Sequence, residues 1–205
     1  MYTLEVLGLT KGFGPRQVLK DVSFSLTVGD SLAVIGKNGS GKTTLLRILA
    51  GLMIPTRGKA VFMHDSQKLD RAAIRQRLSY VGPELALYDA LTAAENLRFF
   101  GKMRGISLDN ELIVKITEMV GLSGRENDLY RAYSSGMKQR LKYAVALLND
   151  PTYLLLDEPT ANLDEEGRQV VSQIIARQKE NGILIVATNE QEEYGFAEKQ
   201  YRLDG

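Results

Sequence analysis

The 205-residue sequence has no cysteine and a single histidine, His64. Without cysteine, disulfides, thiolate metal sites and cysteine nucleophiles are all excluded, and a reducing compartment is suited. Neither sign of charge is in excess: 26 Lys and Arg stand against 25 Asp and Glu, a net charge of +1. The basic footprint expected of a nucleic-acid-binding protein is therefore missing, and bulk charge selects no partner. No apolar run approaches the roughly 18 residues that a membrane-spanning helix needs. The opening MYTLEVLGLT has no basic segment followed by an apolar stretch, as a targeting peptide would. A cytoplasmic chain is expected, one that would serve any membrane process as a peripheral subunit. Repeats, low-complexity tracts and long linkers are also lacking.

What is present is ordinary globular material, 44% hydrophobic and long enough for a sizeable core. VSFSLTVG (22–29) alternates apolar and polar residues at period two and, with TLEVLGL before it, predicts a half-buried antiparallel layer. SLAVIG (31–36), YLLLD (153–157) and ILIVAT (183–188) are continuous apolar runs, the pattern of strands buried on both faces of a parallel sheet. Helical patterns follow them, one after Lys42 and one opening on Glu165 and Glu166, acids that favour the positive end of a helix dipole. Between residues 84 and 150 the strand signal fades. Thr92 and Glu95 stand in capping-box spacing, DNELIVKITEMVGL follows with helical apolar spacing, and GMKQRLKYAVALL makes a third helix. The expected organisation is one α/β domain over 1–205, with a helical lobe (about 84–150) inserted between strands of the sheet.

Gly36, Lys37, Asn38, Gly39, Ser40, Gly41, Lys42 and Thr43 satisfy G-x-x-x-x-G-K-[ST], followed by Thr44, between a buried-strand pattern and a helix. Side chains at the glycines would hold the backbone away from a phosphate. Without them, backbone N–H groups and a helix N-terminus point at the anion, Lys42 reaches the β and γ phosphates, and the Thr43 hydroxyl meets Mg²⁺. The expected ligand is a nucleoside triphosphate. In YLLLDE, Asp157 ends a buried strand, where a carboxylate can hold magnesium, and Glu158 stands one residue nearer the γ-phosphate, where it can orient water.

With these two elements in place, YSSGMKQR (133–140) is similar to the signature of ABC transporter ATP-binding subunits, usually written LSGGQ-x-QR, and YLLLDEPTANLD resembles their Walker B and D-loop block. The resemblance runs over nearly the whole chain. It implies the P-loop NTPase fold of ABC ATPase type: a mostly parallel sheet with helices, an antiparallel β layer and a helical lobe. It also implies ATP and Mg²⁺ as ligands, and a site closed by two subunits, homodimeric or paired, that drive an integral membrane transporter subunit. Ser134 and Gly136 would contact the γ-phosphate held by Lys42 of the second subunit. Asn162 and Asp164 match the D-loop, and Phe13 matches the aromatic that stacks on adenine, a core position being the other reading. The short length, SSGM and LDEPTANLDEEG look most like the ATPase subunit of the cytochrome c maturation (haem exporter) system. Lipid, polysaccharide or drug exporters, and a soluble ABC ATPase of the iron-sulfur assembly type, are the alternatives.

Two positions depart from the family pattern. Pro83 stands where glutamine is usual and offers no side-chain donor or acceptor; Glu84 beside it either supplies the missing contact or faces solvent. Asn189 stands where a switch histidine is usual, and His64 lies elsewhere, in a polar stretch expected at the surface. Asparagine donates an amide hydrogen bond but cannot carry charge. Slow hydrolysis resting on Glu158 is expected, with Asn189 still reading the phosphate.

Overall fold

The computed structural model describes residues 1–203. The chain divides into two compact units, one of Met1–Gly82, Thr152–Pro159 and the residues from Ile175 on, the other of Pro83–Pro151 and Thr160–Ile174.

The first unit holds both sheets. β1 (Tyr2–Phe13), β2 (Arg16–Thr27), β4 (Arg57–His64) and β5 (Gln67–Lys68) form an antiparallel sheet of order β2-β1-β4-β5. β3 (Ser31–Ile35), β6 (Leu78–Val81), β7 (Tyr153–Asp157), β8 (Ile183–Thr188) and β9 (Lys199–Arg202) form a parallel sheet of order β6-β7-β8-β3-β9. The three continuous apolar runs are its central strands, and every residue of β3, β7 and β8 is buried. This is the burial that forces such runs to be apolar throughout. In the alternating β2, by contrast, Leu19, Val22 and Leu26 are buried between more exposed neighbours.

One core joins the layers: Leu4, Val6, Leu9 and Leu19 of the antiparallel sheet pack with Val34, Leu155 and Ile185 of the parallel sheet and with Leu45 and Leu49 of α1 (Lys42–Leu49). Each such side chain contributes about 1.5–3 kcal/mol by leaving water. Tyr153 sits in this core, fully buried, with its ring edge-on to Phe62 at 4.9 Å. Its hydroxyl is shared between the carbonyls of Thr3 at 3.1 Å and Met63 at 3.3 Å. A phenol is tolerated in an apolar core because that hydrogen bond replaces the one lost to water. α2 (Arg71–Arg77) is capped by Asp70, whose side chain accepts from the Ala73 N–H.

In the second unit, α3 (Ala93–Met103) begins at the Thr92–Glu95 capping box, with both reciprocal hydrogen bonds made. Asn96, fully buried, accepts from the Tyr88 N–H at 2.8 Å and donates to the Tyr88 and Thr92 carbonyls, fixing the turn that enters the helix. α4 (Asn110–Met119) and α5 (Ser135–Leu147) follow, and the first residues of α6 (Glu165–Asn181) belong here too. Arg140 of α5 is nearly buried; its guanidinium donates to the Gly121 carbonyl at 2.9 Å and pairs with Glu166 at 3.1 Å. His64, in the first unit, is a partly exposed residue stacked on Tyr2 at 4.0 Å. Among the described residues, no helix is long and apolar enough to cross a membrane.

Candidate functional site

The parallel sheet brings three chain segments to one edge. Ile35 lies beside Thr188, and Ala187 lies beside Asp157. The next residues, Gly36, Asn189 and Glu158, therefore leave three adjacent strands at the same carboxyl-terminal edge, the place where open α/β sheets bind ligands.

The loop between β3 and α1 needs its glycines. Gly41 has φ 104°, and a Cβ there would lie 2.8 Å from both Leu19 Cδ2 and Val18 Cγ1. A Cβ on Gly36 would lie 2.5 Å from the Ser40 hydroxyl and 2.7 Å from the Leu203 carbonyl. α1 starts with no side-chain cap and no acidic residue in its first turn, so no side chain of its own compensates its leading N–H groups or the positive end of its dipole. Lys42 is only 5% exposed, and its ammonium donates to the loop carbonyls of Gly36 at 2.9 Å and Lys37 at 3.4 Å. Lys37, Asn38 and Gly39 form the exposed crest of the loop, while Ser40 is buried with a hydroxyl that finds no partner.

A cleft of about 530 Å³ opens beside this loop, lined by Asn38, Gly39, Gly41, Lys42, Thr43 and Thr44 together with Phe13, Arg16, Val18 and Glu158. Phe13 is 47% exposed, which sets aside the core reading: its ring lies at the cleft, with the Lys11 ammonium 5.0 Å from its centroid. Glu158, which lines the cleft, has an unusual backbone. Its N–H extends the sheet by donating to the Ala187 carbonyl at 2.8 Å, yet its φ is 51°. A non-glycine residue held there costs about 1–3 kcal/mol, and such outliers cluster at working sites.

Asp157, buried at the end of β7, accepts from the Tyr80 hydroxyl at 3.2 Å through Oδ2, while Oδ1 is buried with no partner. Burial and the adjacent Asp157 carboxylate push the Tyr80 hydroxyl far above its ordinary range, against the opposing effect of Arg47. The partnerless Oδ1 and the half-buried Thr43 hydroxyl are hard oxygen donors of the kind magnesium takes. No group of three or more His, Cys, Asp or Glu residues that could hold a metal occurs among the described residues. Magnesium takes one or two protein oxygens, which Asp157 and Thr43 can supply, and keeps phosphate and water for the rest. The residues present therefore fit magnesium.

Asn189 is exposed, and its backbone carbonyl accepts from the Tyr194 hydroxyl at 3.5 Å. Ser134 and Gly136 belong to the second unit, where the Ser134 hydroxyl caps α5 by accepting from the Met137 N–H at 3.2 Å. The nearest atom to a Cβ on Gly136 would be the Asn162 carbonyl oxygen at 3.8 Å, an ordinary contact, so packing within the chain does not require glycine there. Asn162 itself has φ 63°. Pro83 and Glu84, both exposed, open the second unit.

Arg16 has a place in the site that its sequence context does not signal. It lines the cleft, and its guanidinium donates to the Gly39 carbonyl at 3.4 Å. The only local hint is a cation following the Phe13–Gly14 turn. Tyr80 is likewise silent in the sequence, because its link to Asp157 spans distant parts of the chain.

The family model described as ABC transporter matches residues 19–161. Among curated proteins, the linearmycin resistance ATP-binding protein LnrL of Bacillus subtilis is 32% identical over 91% of this chain and 60% of its own length. The lantibiotic transport ATP-binding protein SrtF of Streptococcus pyogenes is 34% identical over 91% of this chain and 79% of its own. The chain thus spans about 60% of the length of LnrL, the first of these. Among solved structures, a dimeric post-hydrolysis state of an ATP-binding cassette bound to ADP and Pi superimposes with a TM-score of 0.84 at 26% identity, over 98% of this chain and 94% of that one. On the phosphate loop, the two sheets and these matches, the chain belongs to the ABC transporter family of ATP-binding proteins.

Proposed function

We propose that the chain is the ATP-hydrolysing subunit of an ABC transporter, working as a pair of subunits that close on ATP. The observation that carries this reading is Glu158: an acidic residue with a strained backbone lines the same cleft as Lys42 and Thr43.

In this reading the loop N–H groups, the start of α1 and Lys42 hold the β and γ phosphates, and Phe13 stacks on the base. Lys42 exchanges its loop carbonyl partners for phosphate oxygens, a stronger charge-assisted set. Thr43 and Asp157 hold Mg²⁺, which when bound neutralises charge on the phosphate oxygens. Glu158 aligns a water in line with the γ-phosphate, and phosphoryl transfer asks for this positioning more than for covalent chemistry. Asn189 donates an amide hydrogen bond to the γ-phosphate from the strand between. Ser134 and Gly136 of a second subunit cap the same phosphate. ATP then favours the closed pair because it binds that state better, and loss of phosphate removes the tie.

The transported substrate is a drug or antibiotic rather than haem in this proposal. The relatives named above are a linearmycin resistance protein and a lantibiotic transport protein, and YbhF of Escherichia coli, a probable multidrug transporter ATP-binding protein, is 33% identical over 90% of this chain and 32% of its own length. The cytochrome c maturation reading has the short length, SSGM and LDEPTANLDEEG behind it, and none of the relatives named above carries it. The membrane subunit is a separate partner, and this chain would sit on it peripherally, at the cytoplasmic face.

Steady-state ATPase of the purified protein tests the enzymatic core. Glu158→Gln is expected to lower turnover by about 10²–10⁴-fold while ATP binding persists. Equal turnover in the two proteins would remove Glu158 from the reaction. Hydrolysis below detection in both would leave an ATP-gated clamp instead of an enzyme.

A further inference from the structure

The two oxygens of Asp157 are not equivalent. Oδ2 accepts from the Tyr80 hydroxyl at 3.2 Å, and Oδ1 is buried with no partner. β6 runs parallel to β7 with Tyr80 opposite Leu155, so Tyr80 reaches along the strand direction to the residue two places on. Gly82 clears the path: a Cβ there would lie 2.2 Å from the Tyr80 hydroxyl oxygen. Arg47 also meets that hydroxyl. It stands four residues after Thr43 on α1, hence on the same helix face. One face of α1 thus presents Thr43 to the ligand cleft and Arg47 to the tyrosine that binds Asp157.

We propose that Tyr80 is a positioning residue for the metal: by occupying Oδ2 it stops the Asp157 carboxylate from turning and leaves Oδ1 as the oxygen offered to the ion that Thr43 also meets. A phenol suits this task better than a second charge. It donates a single hydrogen bond, consumes one oxygen only, and does not compete with the ion for the carboxylate's charge. Arg47 anchors the hydroxyl from the helix side, so the tyrosine is held by two elements that both lead to the metal. The inference rests on the reading of Thr43 and Asp157 as magnesium holders, and its test keeps the two separable.

The test uses Mn²⁺ as a paramagnetic probe, titrated into protein saturated with ADP, with the free ion followed by electron paramagnetic resonance. ADP affinity is measured in parallel by calorimetry in EDTA. Tyr80→Phe keeps the ring and loses the hydroxyl. It is expected to weaken Mn²⁺ binding about tenfold, the low end for losing such an outer partner, with metal-free ADP affinity unchanged. Asp157→Asn is expected to weaken Mn²⁺ at least as much. Wild-type Mn²⁺ affinity in Tyr80→Phe alongside weakened binding in Asp157→Asn overturns the role of Tyr80 and spares the metal reading. Wild-type affinity in both overturns the two together. An equal loss of metal-free ADP binding in Tyr80→Phe makes the tyrosine merely structural and overturns the proposal.

Discussion

Gly41 lies against Leu19 with no room for a side chain between them: an added Cβ would sit 2.8 Å from Leu19 Cδ2, at a backbone φ of 104°. A fully buried leucine of the antiparallel sheet thus sets the path of the loop that approaches phosphate.

Gly41→Ala should therefore fail twice, through strain and through overlap with the core. A loss of about 1–3 kcal/mol of stability is expected, read as a lower thermal midpoint, together with loss of ATP binding by calorimetry. An alanine variant with unchanged midpoint and affinity would show that the loop relaxes freely.

Gly136→Ala should behave in the opposite way. Its Cβ meets nothing closer than 3.8 Å within the chain, so the thermal midpoint should hold. What should be lost is ATP-driven association of subunits, measured by light scattering on a Glu158→Gln background. Retained association would mean that this glycine faces no second subunit.

Asn189 has no titratable proton, so the wild-type rate should show no step from this position between about pH 6 and 8. Asn189→His should introduce one, with faster turnover on the acidic side, where the imidazolium adds charge to its hydrogen bond. Pre-steady-state rates across that range would reveal it; superimposable profiles for asparagine, histidine and alanine would show that the position does not read the phosphate.

Burial pushes the Tyr153 hydroxyl up from its ordinary 10.0 to about 12, and Tyr133 rises likewise to about 12. The folded state holds these protons more tightly than the unfolded chain. Their contribution is complete below pH 10, and stability falls as pH rises from about 10 towards 12. Tyr153→Phe should flatten that decline in urea titrations and cost about 1–2 kcal/mol at pH 7 through the unmet Thr3 and Met63 carbonyls. A decline of unchanged slope in the variant would assign it to other groups.

Much of this arrangement is legible residue by residue. β3, β7 and β8 announce themselves because a strand covered on both faces must be apolar at every position. Thr92 and Glu95 mark a helix start because capping is chemistry between neighbours. The edge strands are silent: β9 reads KQYR, with a polar face to solvent, and β6 is only four residues long. α2 is a short polar helix with no buried residue, so it carries no apolar stripe to read.

Consecutive residues are enough to specify the family, the phosphate loop and the buried strands, because in each of these the side chains answer to their own stretch of backbone. Three further features wait on the folded chain: the left-handed backbone of Glu158, Arg16 joining it at the cleft, and Tyr80 holding one oxygen of Asp157. They depend on strand order and register, which arise from burying the whole core at once, and no local pattern encodes which distant residue will arrive beside which.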